Sequence, residues 1–297
     1  MPRQVLDQWA EWLLHRRHGD DPELLRQHLA FLGPVRDRVL ENAHLSDGDV
    51  VLDVGAGDGL IAFGALERVG PRGSVIFDDI SEDLLEHARS LATAAGVVDR
   101  CEFVRAPAED LAAIPDHSVD AVTTRSVLIY VSQKTRAIGE FLRVLKPGGW
   151  LSIYEPINRF AHHKTWETGF YGIDVAPVKD VWAKVRAHYD RLQPATDPML
   201  DFDERDLLSL VEAAGFAEVH MDYRAEIAPP KEKLVWGRVI RTSGNPKIPT
   251  LEEAMAQTLT PDERDRLVAY VRPRIDAGAA ISRAATAYVW GRKAGPS

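Results

Sequence analysis

From Asp49 onward, the apolar and polar positions of this chain settle into a regular rhythm. Short β-branched runs alternate with longer amphipathic ones, the pattern of a parallel sheet covered by helices. VVLDV (50–54) predicts strand one, and a helix follows from Leu60 to Val69. SVIFD (74–78) is strand two, with EDLLEHARSLATAA as its helix, and CEFVR (101–105) is strand three. VDAVTT (119–124) is strand four. QKTRAIGEFLRVL is a helix stopped by Lys146-Pro147-Gly148-Gly149, and WLSIYEP (150–156) is strand five.

Ahead of this core, Val5, Trp9, Trp12 and Leu13 recur at helical spacing. Two further helical runs follow, PELLRQHLAFL after Asp20-Asp21 and PVRDRVLENAHL after Gly33. Beyond Asn158 the rhythm breaks. Residues 159–202 carry aromatics, histidines and prolines, with one helix expected near 178–192. It resumes with a helix in DERDLLSLVEAAGF (203–216) and strand six in AEVHMDYRAEI (217–227). A second irregular excursion spans 229–280, with helices expected at 250–259 and 261–277. RAATAYVWGRK (283–293) reads as the last strand. The pattern predicts one α/β domain over 1–297. It has a helical segment (1–45), a cofactor-binding core (46–158) and two insertions (159–202 and 229–280). The insertions are too long for ordinary connections and are expected to serve as lids or caps on the substrate side.

Composition narrows the function. Hydrophobic residues make up 45% and charged residues 27% of 297, so a sizeable core is available without staples. The single cysteine, Cys101, rules out a disulfide within the chain and chemistry needing clustered thiols. It opens an apolar run, where a buried structural thiol is expected. A formal net charge of −9 argues against a nucleic-acid or anionic-membrane binder. No window approaches the ~18 apolar residues of a membrane span, and the N-terminus lacks a cleavable apolar core. A cytoplasmic protein is expected. No HExxH and no Cys/His cluster is present, so no metal is expected.

The glycines of VLDVGAGDG carry the first chemistry. Gly55, Gly57 and Gly59 are spaced G-x-G-x-G, whereas the dinucleotide fingerprint G-x-G-x-x-G would need its last glycine at residue 60, which is leucine. Asp53 lies inside the strand, two residues before the first glycine. A pyrophosphate gains nothing from a carboxylate there, but a ligand with ammonium and sulfonium groups does. Asp79 ends strand two. An acid about twenty residues past such a turn commonly accepts ribose hydroxyls, and this holds for NAD and S-adenosylmethionine alike. Of the neighbours Asp78 and Asp79, one is expected to face solvent.

The series VLDVGAGDG, FDDISEDLLEHAR, FVRAPAEDL and FLRVLKPGGWLSIYEP, over roughly 45–158, resembles the motifs of class I S-adenosylmethionine-dependent methyltransferases. Within that family it is most similar to bacterial small-molecule enzymes that include the quinone and sterol C-methyltransferases. The resemblance implies a Rossmann-like, mostly parallel seven-stranded sheet with the last strand antiparallel. It also implies S-adenosyl-L-methionine across the carboxyl ends of strands one, two and four. By position it places Asp53, Gly55 and Gly57 at the methionine end, Asp79 on the ribose and Ile80 on the adenine. Ala108 and Glu109 fall at the adenine edge, and Arg125 at the methionine moiety. Pro107 departs from the pattern, where the family often has aspartate.

Methyl transfer from a sulfonium is an in-line displacement that needs positioning and exclusion of water, with a general base only if the nucleophile must lose a proton. The candidate bases lie after strands four and five: Tyr130, Glu155, His162, His163 and Tyr171, with Asp174 beyond, and His15 and His18 of the first segment as remoter candidates. Phe160, Trp166, Phe170, Tyr171 and Trp182 are candidate walls for an apolar acceptor pocket. The expected reaction is O- or C-methylation of a small, partly apolar metabolite. The rivals are an NAD(P)-dependent oxidoreductase and a non-catalytic S-adenosylmethionine-binding protein. The tryptophans of the first segment are candidates for packing on a lid or on the second subunit of a homodimer.

Overall fold

The structure, a computed structural model, describes residues 5–162 and 169–295. Seven strands form one sheet: β1 (Val50–Val54), β2 (Ser74–Asp79), β3 (Cys101–Arg105), β4 (Val119–Arg125), β5 (Leu145–Pro156), β6 (Glu218–Ala228) and β7 (Ser282–Arg292). Their spatial order is β3-β2-β1-β4-β5-β7-β6. Strands β1 to β5 pair in parallel, and β7 runs antiparallel to both β5 and β6. The expected Rossmann-like architecture with one reversed last strand is therefore the observed one.

Strand β1 shows why the sequence folds this way. Val51 and Leu52 point to opposite faces, and both are fully buried. A strand apolar on both faces needs helices on each side. One face packs under α2 (Pro22–Asn42), α3 (Leu60–Arg68) and α4 (Glu82–Ala94), through Val39, Ile61 and Leu85 against Val51 and Phe77. The other face packs under α5 (Lys134–Val144) and a helix over Glu204–Ala214, through Phe141 and Leu207 against Leu52 and Val122.

Two details depart from the sequence reading. The runs on either side of Gly33-Pro34 form one helix, with Pro34 inside it. Leu32, Val35, Val39 and Leu40 are buried in one stripe across the junction, and that burial offsets the hydrogen bond the proline cannot make. Cys101 is only partly buried, with its thiol donating to the Val97 carbonyl at 3.3 Å.

The two insertions pack on each other. Trp182, Val185 and Tyr189, from a helix over Lys179–Leu192, meet Leu251 and Met255 of the Leu251–Thr258 helix. Leu267, Val271 and Ile275 of the Pro261–Asp276 helix complete this separate apolar cluster. It stands beyond the carboxyl ends of the parallel strands. The N-terminal segment joins it there: Trp12 Nε1 donates to the Ser243 carbonyl at 2.9 Å, and Arg238 pairs with Asp21. No helix among the described residues is long and apolar enough to cross a membrane.

Candidate functional site

The glycine turn between β1 and α3 is built for close approach. Gly55 and Gly57 hold φ of +65° and +58°, a region that disfavours side chains. A Cβ on Gly55 would lie 2.3 Å from the Val127 side chain, so nothing larger fits against the loop after β4.

Beneath this turn lie three buried carboxylates. Asp53, 2% exposed, accepts the Thr123 hydroxyl at 2.8 Å. Burial pushes its pKa up to about 7. Asp79 accepts the Gly57 amide on one oxygen and the Ser81 amide on the other, each at 2.9 Å. Burial raises it as well, against the pull of those amides. Asp78 is 1% exposed, and among the described residues neither of its side-chain oxygens has a partner at hydrogen-bond geometry. Burial, and then the charges of Asp79 and Asp53, raise it well above the usual range. Neither member of the Asp78–Asp79 pair faces solvent, contrary to expectation, because β2 is an interior strand and its end is roofed by the N-terminal segment.

A cavity of about 340 Å³ opens at this point. Its wall brings together seven of the eight sequence-predicted cofactor residues: Gly55, Gly57, Asp79, Ile80, Ala108, Glu109 and Arg125. Asp53 is not in the wall but stands behind the glycine turn. Ile80 keeps 42% of its surface exposed, which leaves an apolar face for a ring. Asp78, the neighbouring candidate to Asp79, also lines the cavity, as do Trp9, Trp12, Leu13 and Arg17, which reading the sequence did not assign to it. Asp7, at the head of this segment, accepts the Ser81 hydroxyl at 2.7 Å, while its own amide donates to Asp83. The segment is thus fastened to the start of α4 beside Asp79. The helical spacing of Trp9, Trp12 and Leu13 was visible in the sequence, but nothing local says which strand end it covers.

The candidate bases separate. Tyr130 lines this first cavity, edge-on to Trp9 at 4.9 Å. Burial raises its phenol further above neutrality, so the side chain is a neutral phenol able to donate a hydrogen bond rather than a base. Glu155 reaches neither of the two cavities described here. Fully buried, it accepts the amides of Val127 and Leu128 at 2.9 Å and of Ile129 at 3.3 Å. Burial pushes its pKa up to about 7, opposed by those amides. It organises the loop carrying Tyr130. Ser126, at the start of that loop, holds φ of +58°. His162 and Tyr171 line a second cavity of about 640 Å³. His163 and Trp166 lie outside the described residues. Phe170 is in the wall of the second cavity, while Phe160 and Trp182 pack elsewhere, on the sheet core and in the insertion cluster.

The second cavity adjoins the first, sharing Arg17, Asn158, Met199 and Gly244. Its outer wall comes from the insertions, through residues such as Phe170, Tyr189, Ser243 and Leu251. The arrangement provides a narrow acidic-ended chamber over the strand ends and a wider one roofed by the insertions.

Part of the chain is similar to known methyltransferases. Residues 51–149 match the family described as a methyltransferase domain. The ubiquinone/menaquinone biosynthesis C-methyltransferase UbiE of Pseudomonas entomophila is 40% identical over 123 residues, which are 40% of this chain and 48% of that one. UbiE of Francisella tularensis subsp. novicida is 36% identical over 120 residues, with the same coverage. The chain therefore spans about half the length of these relatives. Among solved structures, the YcgJ protein of Bacillus subtilis superposes with a TM-score of 0.54 at 18% identity, covering 89% of this chain and 100% of that one. That likeness shows the fold.

Proposed function

We propose that this chain, whose residues 51–149 match a methyltransferase-domain family, is a class I S-adenosylmethionine-dependent methyltransferase that methylates a small, partly apolar metabolite on oxygen or carbon. The observation that carries the reading is the set of buried carboxylates at the glycine turn, with Asp78 unpartnered in the cavity wall. A dinucleotide would set its pyrophosphate beside Asp78 and Asp79, and its charge would further oppose their ionisation. A ligand with a ribose and cationic groups is the complement of the same acids.

In this reading Asp79 holds the ribose hydroxyls. Its oxygens each take one backbone amide and retain a free lone pair. Ile80 packs on the adenine and Glu109 with Ala108 forms its edge. Arg125 faces the methionine carboxylate, and Trp9 and Trp12 close the chamber against water. Bound there, S-adenosyl-L-methionine supplies a methyl group on a sulfonium, open to in-line displacement by the acceptor. The chain's own work is then positioning and desolvation. Tyr130 stands between the chambers' shared wall and the glycine turn and directs the acceptor by a hydrogen bond. His162 or Tyr171 takes the proton if the nucleophile carries one.

The two insertions and the N-terminal segment act as the lid over the second chamber. The matched family region ends at Gly149, so the acceptor is argued from the insertions rather than from the relatives. A cytoplasmic enzyme working as a monomer or homodimer suits this reading.

The experiment is thermal unfolding with S-adenosylhomocysteine or NAD(P), followed by transfer of labelled methyl from S-adenosylmethionine into metabolite extracts. Stabilisation by S-adenosylhomocysteine and a labelled small product are expected. Stabilisation by NAD(P) alone overturns the reading. Binding without transfer to any acceptor leaves a non-catalytic binding protein.

A further inference from the structure

The second chamber has a charge unlike that of the whole chain. The protein is acidic overall, at −9. Yet among the described residues lining this chamber there is no aspartate or glutamate, and the charged side chains are Arg17 and Arg283. Three histidines, His18, His28 and His162, share the wall.

Arg17 differs from Arg283 in what it touches. Arg283 donates to the Phe160 carbonyl at 3.0 Å and stacks on that ring. The Arg17 guanidinium makes no hydrogen bond or ion pair among the described residues. It only lies over the Trp12 ring, 5.1 Å from its centroid. Burial, and then Arg125 as a like charge, pulls its pKa down to about 10. An unpaired, half-buried guanidinium is costly unless a ligand completes it.

Its neighbours point the same way. His18 is 92% buried by its 8% exposure, and its Nε2 has no partner. His28 Nε2 is likewise buried and unpartnered, and the two rings meet edge-on at 5.0 Å. Burial and the charge of Arg17 keep both imidazoles neutral at physiological pH, with His28 pushed down to about 3. Two neutral imidazoles beside one unpaired guanidinium can offer N–H groups without needing a counter-charge of their own.

We propose that the methyl acceptor carries an anionic group, a carboxylate or a phosphate, which Arg17 binds where the two chambers meet, with His18 and His28 donating beside it. The inference rests on the methyltransferase reading. The cofactor has one carboxylate, and Arg125, which lines only the first chamber, is placed for it. Arg17 lines both chambers and remains for the acceptor. Its planar fork suits either oxyanion.

The test uses the full chain saturated with S-adenosylhomocysteine and a fragment panel of matched pairs, read by thermal unfolding and then calorimetry. Aryl and alkyl carboxylates are set against their primary amides, and phosphate monoesters against their alcohols. Acids or phosphates are expected to stabilise and their neutral partners not, and the better arm identifies the anion. In Arg17→Gln the affinity of the best anionic fragment is expected to fall at least tenfold. Arg17→Lys, which keeps the charge but not the fork, should recover part of it, and S-adenosylhomocysteine affinity should stay within twofold in both. Neutral partners binding as well as acids, or no anion binding at all, overturns the proposal. So does an Arg17→Gln variant that loses S-adenosylhomocysteine instead, because Arg17 then holds the cofactor. If Arg17→Gln does not fold, the wild-type panel and Arg17→Lys still decide. If S-adenosylhomocysteine itself fails to bind, the methyltransferase reading falls separately, and the panel on the ligand-free chain still reports on the anion.

Discussion

The Gly57 amide donates to Asp79 Oδ2 at 2.9 Å, so the acid assigned to the ribose also holds the glycine turn in place. Removing it therefore has two effects. Asp79→Ala should weaken S-adenosylhomocysteine by tenfold or more, and should destabilise the free chain by about 1–3 kcal/mol because the Gly57 and Ser81 amides lose their acceptor. Asp79→Asn retains one acceptor oxygen and should recover much of the stability but little of the affinity. Calorimetry and denaturant unfolding measure the two separately. An unchanged affinity in Asp79→Asn would remove the ribose from this side chain.

Glu155 separates a scaffold from a base. Three backbone amides end on its carboxylate, and Glu155→Ala leaves them buried without acceptors. A loss of about 3 kcal/mol or more in unfolding free energy is expected. Methyl transfer should decline only as far as the loop carrying Tyr130 loosens. The decisive variant is Glu155→Gln. If it were as stable as the wild type and bound cofactor normally, yet transferred no methyl group, Glu155 would be the base after all.

Acid should stabilise the ligand-free chain. Asp53 and Glu155 are each raised to about 7 by burial, and Asp78 and Asp79 are raised as well. For a carboxyl whose folded pKa exceeds its unfolded one, folding takes up protons between the two values. Stability is then full below about pH 4 and falls as pH rises toward 7, by about 1.4 kcal/mol per pH unit for each proton taken up. The lowered histidines His18 and His28 act in the opposite sense below their ordinary value of about 6.5 and offset part of this fall, while acids with lowered pKa, such as Asp116 and Glu140, act only below their ordinary values. Urea midpoints between pH 5 and 7.5 should decline without ligand. A midpoint that rises across that window would mean the buried acids ionise freely.

What the sequence revealed follows from how local each signal is. The strand at VVLDV, the turn at Gly55–Gly59 and the acid at Asp79 are written in residues adjacent in the chain, and the fold sets them where their pattern implies. Glu155 looked like a base because an acid at a strand end usually faces the crevice. Its neighbours in space are the amides of the loop after β4, almost thirty residues away, and nothing in WLSIYEP shows them. Arg17 was missed for the same reason. Its segment reads as an ordinary amphipathic helix, and long-range contacts such as those from Asp7 to α4 and from Trp12 to Ser243 carry it over the strand ends.

That last contact supports a prediction about closure. Trp12 lines the first chamber with its ring and ties the N-terminal segment to the second insertion through its indole N–H. Arg16 with Glu253 and Arg238 with Asp21 are ion pairs across the same seam, exposed or half-buried, and each contributes little alone. The indole bond is partly shielded from water, as is the Arg238–Asp21 pair, and the Ser243 amide donates to the Arg16 carbonyl at 3.2 Å beside it. Trp12→Phe keeps an aromatic wall but removes the donor, leaving the Ser243 carbonyl to water. A loss of about 1 kcal/mol is expected, local rather than global. Amide exchange should quicken in residues 8–20 and 240–249 together, while β1, β4 and β5 keep their protection. S-adenosylhomocysteine, by filling the chamber beneath, should slow exchange in both segments of the wild type. Quickening confined to residues 8–20 would show that the segment and the insertion open independently, and that Trp12 packs on the cofactor chamber without coupling it to the lid.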